Sequence, residues 1–511
     1  MRQRQPGRDD NPALRLARKQ LRKSRMTDTR PMLDRALGQR RFSIADQRRF
    51  AELSGDCNPM HIDPVAARRL LSGQLVVHGV HTLLATLEML GPESAAGADR
   101  LSCDFINPLA VDDEVNFALA VDDAATVVTA SVRGLVCTRV ALDMRPAKAA
   151  GDTLAEAIDG AGLACIPTPL LPMAQPPEQW MGQSLRLRLP AANFLADFPQ
   201  LCARVGERRV AAMALLSTFV GMVCPGLHSV FSSISLGWGP PSAEINFKIL
   251  KYDPRFRIFV VRFDGCICGE LRAFLRPPPQ PQPSTRQLME IVAADRFVGT
   301  RSWVIGGSRG LGEFTAKLIA AGGGDVDITY AAGAADAAQV VADINGCGRG
   351  LAMTRSLDVS NADFSAWMRD RPPPDAVFYF ATPRIYRKKS SVFDPGLFNE
   401  FMWFYAERFQ ALCLALEDIC QKKSVKVFVP STVFIDDRPK GMTEYAMAKA
   451  AVEVLCVDLQ RNLRRVTIVV QRLPRLETDQ TATLVAVKHA SNADTLLPLV
   501  NQMLALRSSC A

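Results

Sequence analysis

Residues 53–63 read Leu-Ser-Gly-Asp-Cys-Asn-Pro-Met-His-Ile-Asp, and residues 76–79 read Val-Val-His-Gly. The first stretch places a carboxylate, Asp56, five residues before an imidazole, His61, on a turn rich in glycine, asparagine and proline. Such a pair can move a proton and handle a water molecule at neutral pH. The turn therefore predicts an acid–base site. The simpler alternative is that Asp56 caps a helix while His61 packs in a core.

The pattern around this pair extends from Phe42-Ser-Ile-Ala-Asp-Gln through Phe50-Ala51 to His78-Gly79. Over that length it resembles the MaoC-like (R)-specific enoyl hydratases and dehydratases of the hot-dog fold. The resemblance implies that, during dehydration, His61 takes the C2 proton of an acyl thioester and Asp56 protonates the departing hydroxyl. It also implies that Gly79, at the start of a predicted helix, supplies a backbone N–H to the thioester oxygen, which gains negative charge in the transition state.

A second signal begins at residue 303, where the chain reads Trp-Val-Ile-Gly-Gly-Ser-Arg-Gly-Leu-Gly through residue 312. This pattern predicts a buried strand, a glycine turn and a helix start, which bring backbone N–H groups against a pyrophosphate. Far downstream, Tyr445 and Lys449 are one helical turn apart, so their side chains share one helix face. The apolar strand Val425 to Val429 precedes them and ends in Pro430-Ser431-Thr432.

Together these pieces resemble the short-chain dehydrogenase/reductase family. The resemblance implies that Tyr445 donates a proton to a ketone oxygen, while Lys449 lowers the tyrosine pKa and holds the nicotinamide ribose. An upstream hydroxyl orients the carbonyl. Ser431 lies fourteen residues before Tyr445 and Thr432 thirteen, and both spacings fit; Ser431 is preferred.

The same resemblance implies a cofactor site and indicates the cofactor. Arg309 within the turn, and the lack of an acidic residue in Thr329-Tyr330-Ala331, favour NADPH over NADH, because a carboxylate there would repel the 2′-phosphate. The cofactor-binding residues expected from the family pattern are Gly306, Ser308, Arg309, Gly310, Leu311, Gly312, Asp358, Val359 and Thr478.

The chain also departs from the family pattern. Tyr379-Phe380-Ala381-Thr382-Pro383 replaces the family's Asn-Asn-Ala-Gly, and Phe398 to Phe409 holds no clear counterpart of its helix asparagine. The alternative reading of this segment is therefore a nucleotide-binding fold without catalysis.

Two proline-rich stretches, residues 166–177 and 277–284, read as extended linkers and divide the 511 residues into parts of domain size. We expect a multidomain α+β and α/β chain, a double hot-dog followed by a Rossmann-fold domain. The expected parts are a basic, disordered leader at 1–38, a MaoC-like hot-dog domain at 39–150, a second, degenerate hot-dog domain at 178–276, and a short-chain dehydrogenase/reductase domain at 298–511.

Hydrophobic periodicity supports this division. The first part has a helix pattern at His81 to Leu90 and strand patterns at 111–121, 125–132 and 135–144. The second repeats the order, with a helix at 208–222 and strands at 232–237, 243–252, 255–264 and 266–275, but has no counterpart of the acid–base pair. The two repeats therefore predict a pseudo-dimer with one working site. In the third part, strands at 302–305, 326–330, 376–380, 425–429 and 467–471 alternate with helices, as in a parallel doubly wound sheet.

Charge and cysteine content exclude several classes of function. The net charge is +9, and in the first 41 residues Lys and Arg outnumber Asp and Glu thirteen to four. No aromatic residue is interleaved there to stack bases, so the sequence favours an unstructured leader over nucleic-acid binding. Thirteen cysteines without a CxxC pair, and only five histidines, argue against a metal site and fit a reducing compartment. Without an apolar run of about 18 residues or a signal peptide, we expect a cytoplasmic protein.

The two sites together predict a bifunctional NADPH-dependent 3-oxoacyl-thioester reductase and (3R)-hydroxyacyl-thioester dehydratase of fatty-acid or polyketide-like biosynthesis. The substrate would be carried on acyl-carrier protein or coenzyme A, and the chain could pair as a homodimer. One alternative runs both reactions backwards, as an enoyl-CoA hydratase and (3R)-hydroxyacyl-CoA dehydrogenase of a β-oxidation type. Another is a non-catalytic scaffold that binds acyl carriers.

Overall fold

The computed structural model describes residues 35–70, 73–90, 100–121, 125–143, 158, 163, 165–387, 391–421, 423–478, 481 and 489–505. Up to residue 34, the predicted basic leader lies outside this set. The prediction that it extends to residue 38 is wrong, because residues 35–38 already belong to a strand whose backbone pairs with Glu114–Val121.

The N-terminal half of the chain forms one sheet of ten antiparallel strands in the order β1-β3-β4-β5-β2-β7-β10-β9-β8-β6. Five strands come from each predicted repeat, and the two sets meet where β2 pairs with β7, with Leu101 opposite Leu236. The strands are β1 (Arg35–Arg41), β2 (Arg100–Phe105), β3 (Glu114–Val121), β4 (Ala125–Val132), β5 (Leu135–Asp143), β6 (Ser184–Arg188), β7 (Ser229–Trp238), β8 (Glu244–Asp253), β9 (Ile258–Asp264) and β10 (Ile267–Leu275).

Two buried helices lie against this sheet, one from each repeat. Helix α4 buries every residue from Val80 to Leu87, and helix α6 every residue from Val210 to Thr218. Their apolar side chains join one core that spans both repeats. The helices are α1 (Ile44–Ser54), α2 (Pro59–Ile62), α3 (Pro64–Ala67), α4 (Gly79–Glu88), α5 (Pro199–Val205) and α6 (Glu207–Thr218), with a 3₁₀ turn at Pro177–Trp180 and a π-helical turn at Phe219–Val223.

The C-terminal part is a sheet of six parallel strands in the order β13-β12-β11-β14-β15-β16. The direction of winding reverses between β11 and β14, and ligands of doubly wound folds bind at the carboxyl ends of the strands at such a point. The strands are β11 (Arg301–Ile305), β12 (Asp325–Tyr330), β13 (Ala352–Ser356), β14 (Ala376–Tyr379), β15 (Val425–Thr432) and β16 (Val466–Leu473).

The connecting segments of this sheet cover both faces, as parallel strands require. They are α7 (Thr285–Leu288), α8 (Gly310–Ala321), α9 (Ala334–Asn345), α10 (Phe364–Met368), α11 (Pro395–Met402), α12 (Arg408–Ile419), α13 (Phe434–Asp437), α14 (Thr443–Asn462) and α15 (Asn492–Leu504), with a π-helical turn at Trp403–Glu407 between α11 and α12. None of the helices in the described part of the chain is both long and apolar enough to span a bilayer.

The two parts touch through the segment that follows α3. Arg69 forms an ion pair with Asp336 in α9, with 2.7 Å between Nη2 and Oδ1. Gly73 lies against the Arg384 side chain, because a Cβ at Gly73 would be only 3.2 Å from the Arg384 Cγ. This contact brings the first repeat next to the glycine turn after β11.

Candidate active sites

The first candidate site is the turn between α1 and α2, where Asp56 and His61 face each other. Helix α1 begins in a capping box formed by Ser43 and Asp46, and it ends at Gly55, whose φ of 85° lets the chain turn sharply. Asp56 follows at once, and His61 lies on the short helix α2. Both side chains are buried, with 1 % and 8 % of their surfaces exposed.

Hydrogen bonds fix the protonation pattern of this pair. His61 Nδ1 lies 2.8 Å from the Val76 carbonyl oxygen. Because a carbonyl only accepts, Nδ1 carries the proton in the neutral ring and Nε2 keeps its lone pair. Burial lowers the pKa of His61 and raises the pKa of Asp56, although each moderates the shift of the other. The shifts favour a neutral imidazole able to accept a proton and a carboxyl able to carry one.

The second repeat supplies part of this site, which the sequence analysis missed. Ser217 on α6 donates to Asp56 Oδ2 over 2.7 Å. The π-helical turn then brings Gly221 so close that a Cβ there would lie 2.3 Å from Asp56 Oδ1. Asn58 donates from Nδ2 to the Gly221 carbonyl over 2.8 Å and caps α2, so it braces the turn between Asp56 and His61. Ser217 and Gly221 could not be predicted from the sequence. Nothing in their local pattern indicates a contact with Asp56, which lies 161 residues before Ser217.

His78 is a second buried imidazole, next to that of His61. Its ring stacks on His61 with 3.8 Å between centroids, and ligand atoms of Asp56, His61 and His78 all lie within 4.8 Å of one another. The hydrogen bonds of His78 nevertheless argue against a metal ion at this place. The Nε2 of His78 lies 3.0 Å from the Asp56 carbonyl oxygen, and its Nδ1 lies 2.9 Å from Gln47 Oε1, so both nitrogens already face oxygens.

Gly79 begins helix α4 beside the pair, directly after His78. A Cβ at Gly79 would lie 3.1 Å from the Phe105 ring, so a larger residue would push that ring away. Its position at a helix N-terminus is compatible with the predicted donor function, since the first N–H groups of a helix have no partner within the helix.

The second candidate site is a cavity of about 460 Å³ at the switch point of the parallel sheet, here called the glycine-turn cavity. The predicted Gly306, Ser308, Arg309, Gly310, Leu311, Gly312, Asp358, Val359, Ser431, Tyr445, Lys449 and Thr478 all line it. The predicted residues therefore gather at two separate places in the fold, one around Asp56 and His61 and the other around the glycine-turn cavity.

The glycines of the turn are required by close backbone approaches. Gly306 has a φ of 84°, and a Cβ there would lie 3.0 Å from the Ala381 nitrogen. A Cβ at Gly312 would lie 2.2 Å from the Gly306 carbonyl oxygen. Side chains at these positions would collide with neighbouring backbone, so glycine is what lets the turn close at the start of α8, where N–H groups can meet a pyrophosphate.

At the other wall of this cavity, the structure places Thr432, rather than the preferred Ser431, next to Tyr445. A hydrogen bond from the Thr432 side chain opposes the rise in the pKa of Tyr445 that burial causes. The Ser431 hydroxyl instead donates to Glu453, which also pairs with Arg472. We therefore propose Thr432 in place of Ser431 as the orienting hydroxyl, since the side chains of strand β15 alternate and only one of two neighbours can face the tyrosine.

Lys449 is buried in the same wall, and burial lowers its pKa to about 7. Its ammonium donates to the Pro430 carbonyl oxygen over 2.8 Å and lies 3.7 Å from the centroid of the Tyr405 ring. Tyr405 belongs to the π-helical turn and bonds through its hydroxyl to Thr382. The sequence analysis missed Tyr405, which stands in the helix where it found no counterpart of the family's asparagine.

Comparison with known proteins agrees with the first resemblance. Residues 23–140 match the family model described as "MaoC like domain", so the chain carries a MaoC-like domain in its N-terminal part. The match begins within the stretch assigned to the leader. A comparison with curated proteins finds no match.

Among solved structures, the chain is similar to several short-chain dehydrogenases. One from Burkholderia cenocepacia J2315, in complex with NADP, is 21 % identical, with 41 % of this chain and 91 % of that chain covered and a TM-score of 0.37. A putative one from Escherichia coli CFT073, complexed with NADPH, is 19 % identical, with 41 % and 93 % covered and a TM-score of 0.36. At these values the assignment of the fold rests on the strand order and the glycine turn described above.

Proposed function

We propose that the chain is a bifunctional enzyme that reduces a 3-oxoacyl thioester with NADPH and dehydrates the resulting (3R)-hydroxyacyl thioester. The observation that carries the proposal is the presence of two buried proton-transfer centres on one chain, Asp56 with His61 and Tyr445 with Lys449. The product of the second centre is the substrate of the first, and joining consecutive steps in one chain raises the local concentration of the intermediate.

In the dehydration step, His61 Nε2 would accept the proton from C2 while the C3–O bond breaks. Asp56 would give its proton to the departing hydroxyl, so that water leaves and a C2=C3 double bond forms. Burial of both groups favours the protonation states that this direction needs. The Gly79 N–H would stabilise the charge that develops on the thioester oxygen.

In the reduction step, the residues of the glycine-turn cavity would hold the dinucleotide, which supplies the hydride when bound. The turn that contains Gly306, Gly310 and Gly312 would present backbone N–H groups to its pyrophosphate. Tyr445 would donate its proton to the carbonyl oxygen, and the Thr432 hydroxyl would orient that oxygen. The ammonium of Lys449 would stabilise the tyrosinate that remains.

The finer organisation also belongs to this proposal. We take the ten-stranded sheet as two hot-dog domains, within residues 39–150 and 178–276, joined side by side through β2 and β7, with the reductase domain at 298–511. The proposal is supported by the repeated arrangement of five antiparallel strands and one buried helix in each half. The second repeat would act as a partner that completes the Asp56 site.

The direction of synthesis is favoured over the reverse, oxidative direction by the preference for NADPH. Arg309 lines the glycine-turn cavity, and the end of β12 with the residue that follows it, positions 329–331, holds no carboxylate. A fatty-acid or polyketide-like role, with the acyl group on a carrier protein or coenzyme A, follows from the chemistry of the two steps. A non-catalytic scaffold would not need either pair of proton-transfer groups.

The test uses purified full-length chain with NADPH and a 3-oxoacyl thioester, presented on coenzyme A and separately on a carrier protein. We follow the loss of NADPH absorbance and the mass of the acyl products. Asp56→Asn should accumulate the hydroxyacyl product, and Tyr445→Phe should form neither product. Asp63→Asn is the matched control, because Asp63 is an exposed helix cap on the same turn and asparagine caps equally well.

Enoyl product at the wild-type rate from either site variant would refute the assignment. Oxidation of a (3R)-hydroxyacyl thioester by NAD at a higher kcat/KM than the NADPH-dependent reduction would favour the oxidative direction instead.

A further inference from the structure

The glycine-turn cavity is not built by the C-terminal part alone. Arg68, the residue that ends α3, and Gly73 reach over from the first repeat and line it together with the dinucleotide residues. A residue outside the nucleotide-binding fold therefore faces the space where the dinucleotide is proposed to bind.

The guanidinium of Arg68 lies directly over Gly333, in the loop that follows β12. A Cβ built on Gly333 would be 2.7 Å from Arg68 Nη1 and 3.3 Å from its Nη2. In doubly wound folds, the end of the second strand faces the adenine ribose, and the group on its 2′ oxygen lies there. Arg68 thus occupies the position from which a 2′-phosphate can be reached.

The Arg68 guanidinium can donate a further hydrogen bond. Its Nη1 is shielded from solvent and has no hydrogen-bond partner among the described residues. A buried charged N–H without an acceptor is costly, so an anionic ligand at this place would gain from satisfying it. A planar guanidinium also matches the oxygens of a phosphate in a bidentate arrangement.

Two other arginines, Arg69 and Arg309, lie next to Arg68. The carboxylate of Asp336 also lies beside Gly333, and its Oδ1 forms an ion pair with Arg69 over 2.7 Å. Arg309 in the glycine turn donates from Nη1 to the Arg68 carbonyl oxygen, which ties the two arginines together across the contact between the two parts.

We infer that Arg68 of the MaoC-like domain, together with Arg309, binds the 2′-phosphate of NADPH, so that one domain sets the cofactor preference of the other. The inference rests on the proposed dinucleotide site. The inference goes beyond the proposed function, because it assigns a cofactor-binding residue to a domain that has no part in the reduction step.

Calorimetric titration of the full-length chain with adenosine 2′,5′-bisphosphate and with 5′-AMP tests this, since the two ligands differ only in the 2′-phosphate. Wild type should prefer the bisphosphate. Arg68→Ala should lose about tenfold in affinity for the bisphosphate, the loss expected of one charge-assisted hydrogen-bonding partner, and keep its affinity for 5′-AMP. Arg68→Lys should retain part of the preference.

Arg133→Asn is the control for a general weakening of the domain contact. It removes the Arg133–Asp394 ion pair between the same two parts, away from the cavity lining, and asparagine tolerates the φ of 48° at that position. An equal loss of preference in this variant, or an unchanged preference in Arg68→Ala, would overturn the inference and leave the proposed function standing. If wild type binds neither ligand, the dinucleotide site and the inference both fail.

Discussion

The hydroxyl of Ser217 donates a hydrogen bond over 2.7 Å to Oδ2 of Asp56, although the two residues belong to different repeats of the N-terminal half. The acid of the proposed dehydratase is therefore held from both sides, by its own turn and by the buried helix of the other repeat. A repeat without acid–base residues of its own can in this way control the protonation of the acid in its partner.

Ser217→Ala should move the pH profile of dehydration. The Ser217 hydrogen bond stabilises the ionised carboxylate and so opposes the rise in the Asp56 pKa that burial causes. Without it the pKa rises further. Because Asp56 must carry a proton to act as the acid, activity persists below its pKa and is lost above it. We expect the alkaline limb of kcat/KM to move up by roughly one pH unit, since a hydrogen bond to a charged group is worth about 1.5–3 kcal/mol.

Thr218→Val is the matched control for that measurement. Its hydroxyl bonds to the Ser54 carbonyl and not to Asp56. If the limb moves equally in both variants, the shift reports loosened packing between the repeats, and Ser217 has no specific influence on the acid.

Gly221→Ala should abolish dehydration while leaving reduction intact. The added methyl would lie 2.3 Å from Asp56 Oδ1 and 2.6 Å from Oδ2, so the buried carboxylate must move away from its present position. Displacing a catalytic group by about 1 Å costs on the order of 10²-fold in rate. The rate of NADPH consumption with a 3-oxoacyl thioester serves as the control on the same chain. A dehydration rate within a few-fold of wild type would show that Asp56 need not stay where the structure puts it.

Thr432→Val should reduce the rate of reduction by roughly 10²-fold, the usual effect of removing one hydrogen-bond donor to a developing charge. Ser431→Ala should leave most of the activity, because the Ser431 hydroxyl is directed to Glu453 and away from Tyr445. The two single variants, measured with the same 3-oxoacyl thioester, form a matched pair. A larger loss in Ser431→Ala than in Thr432→Val would restore the assignment preferred from spacing.

The sequence predicts the fold well where local pattern and burial agree. Strands such as β4 and β11 have alternating or continuous apolar residues and are bounded by turn residues. Their observed ends lie within one residue of the predicted ends. The strands β1, β2, β6 and β13 were missed. All four contain charged residues at exposed or half-buried positions, as in Arg35–Arg41, and their place is set by pairing with distant strands.

The same distinction holds for the sites. Asp56 with His61, and Tyr445 with Lys449, are close in sequence and could be read from spacing. Ser217, Gly221 and Arg68 could not, because they reach their sites from another repeat or another domain. The choice between Ser431 and Thr432 depends on the register of one strand, since a shift of a single residue exchanges the side chains that face the cavity.

The pH dependence of reduction should report the buried Lys449 through its contact with Tyr405. Burial lowers the pKa of Lys449 to about 7, and its ammonium lies 3.7 Å from the centroid of the Tyr405 ring. The ammonium must be charged to stabilise the tyrosinate of Tyr445, so kcat/KM should be high below about pH 7 and fall above it. The face of an aromatic ring stabilises a desolvated cation by about 1–2 kcal/mol. In Tyr405→Leu the Lys449 pKa should therefore fall further, and the decline should begin about one unit lower. Tyr405→Phe keeps the ring and loses only the hydroxyl that bonds to Thr382, so its profile should coincide with that of wild type. A profile that is flat between about pH 6 and 9, or one that moves equally in both variants, would contradict this account of Lys449.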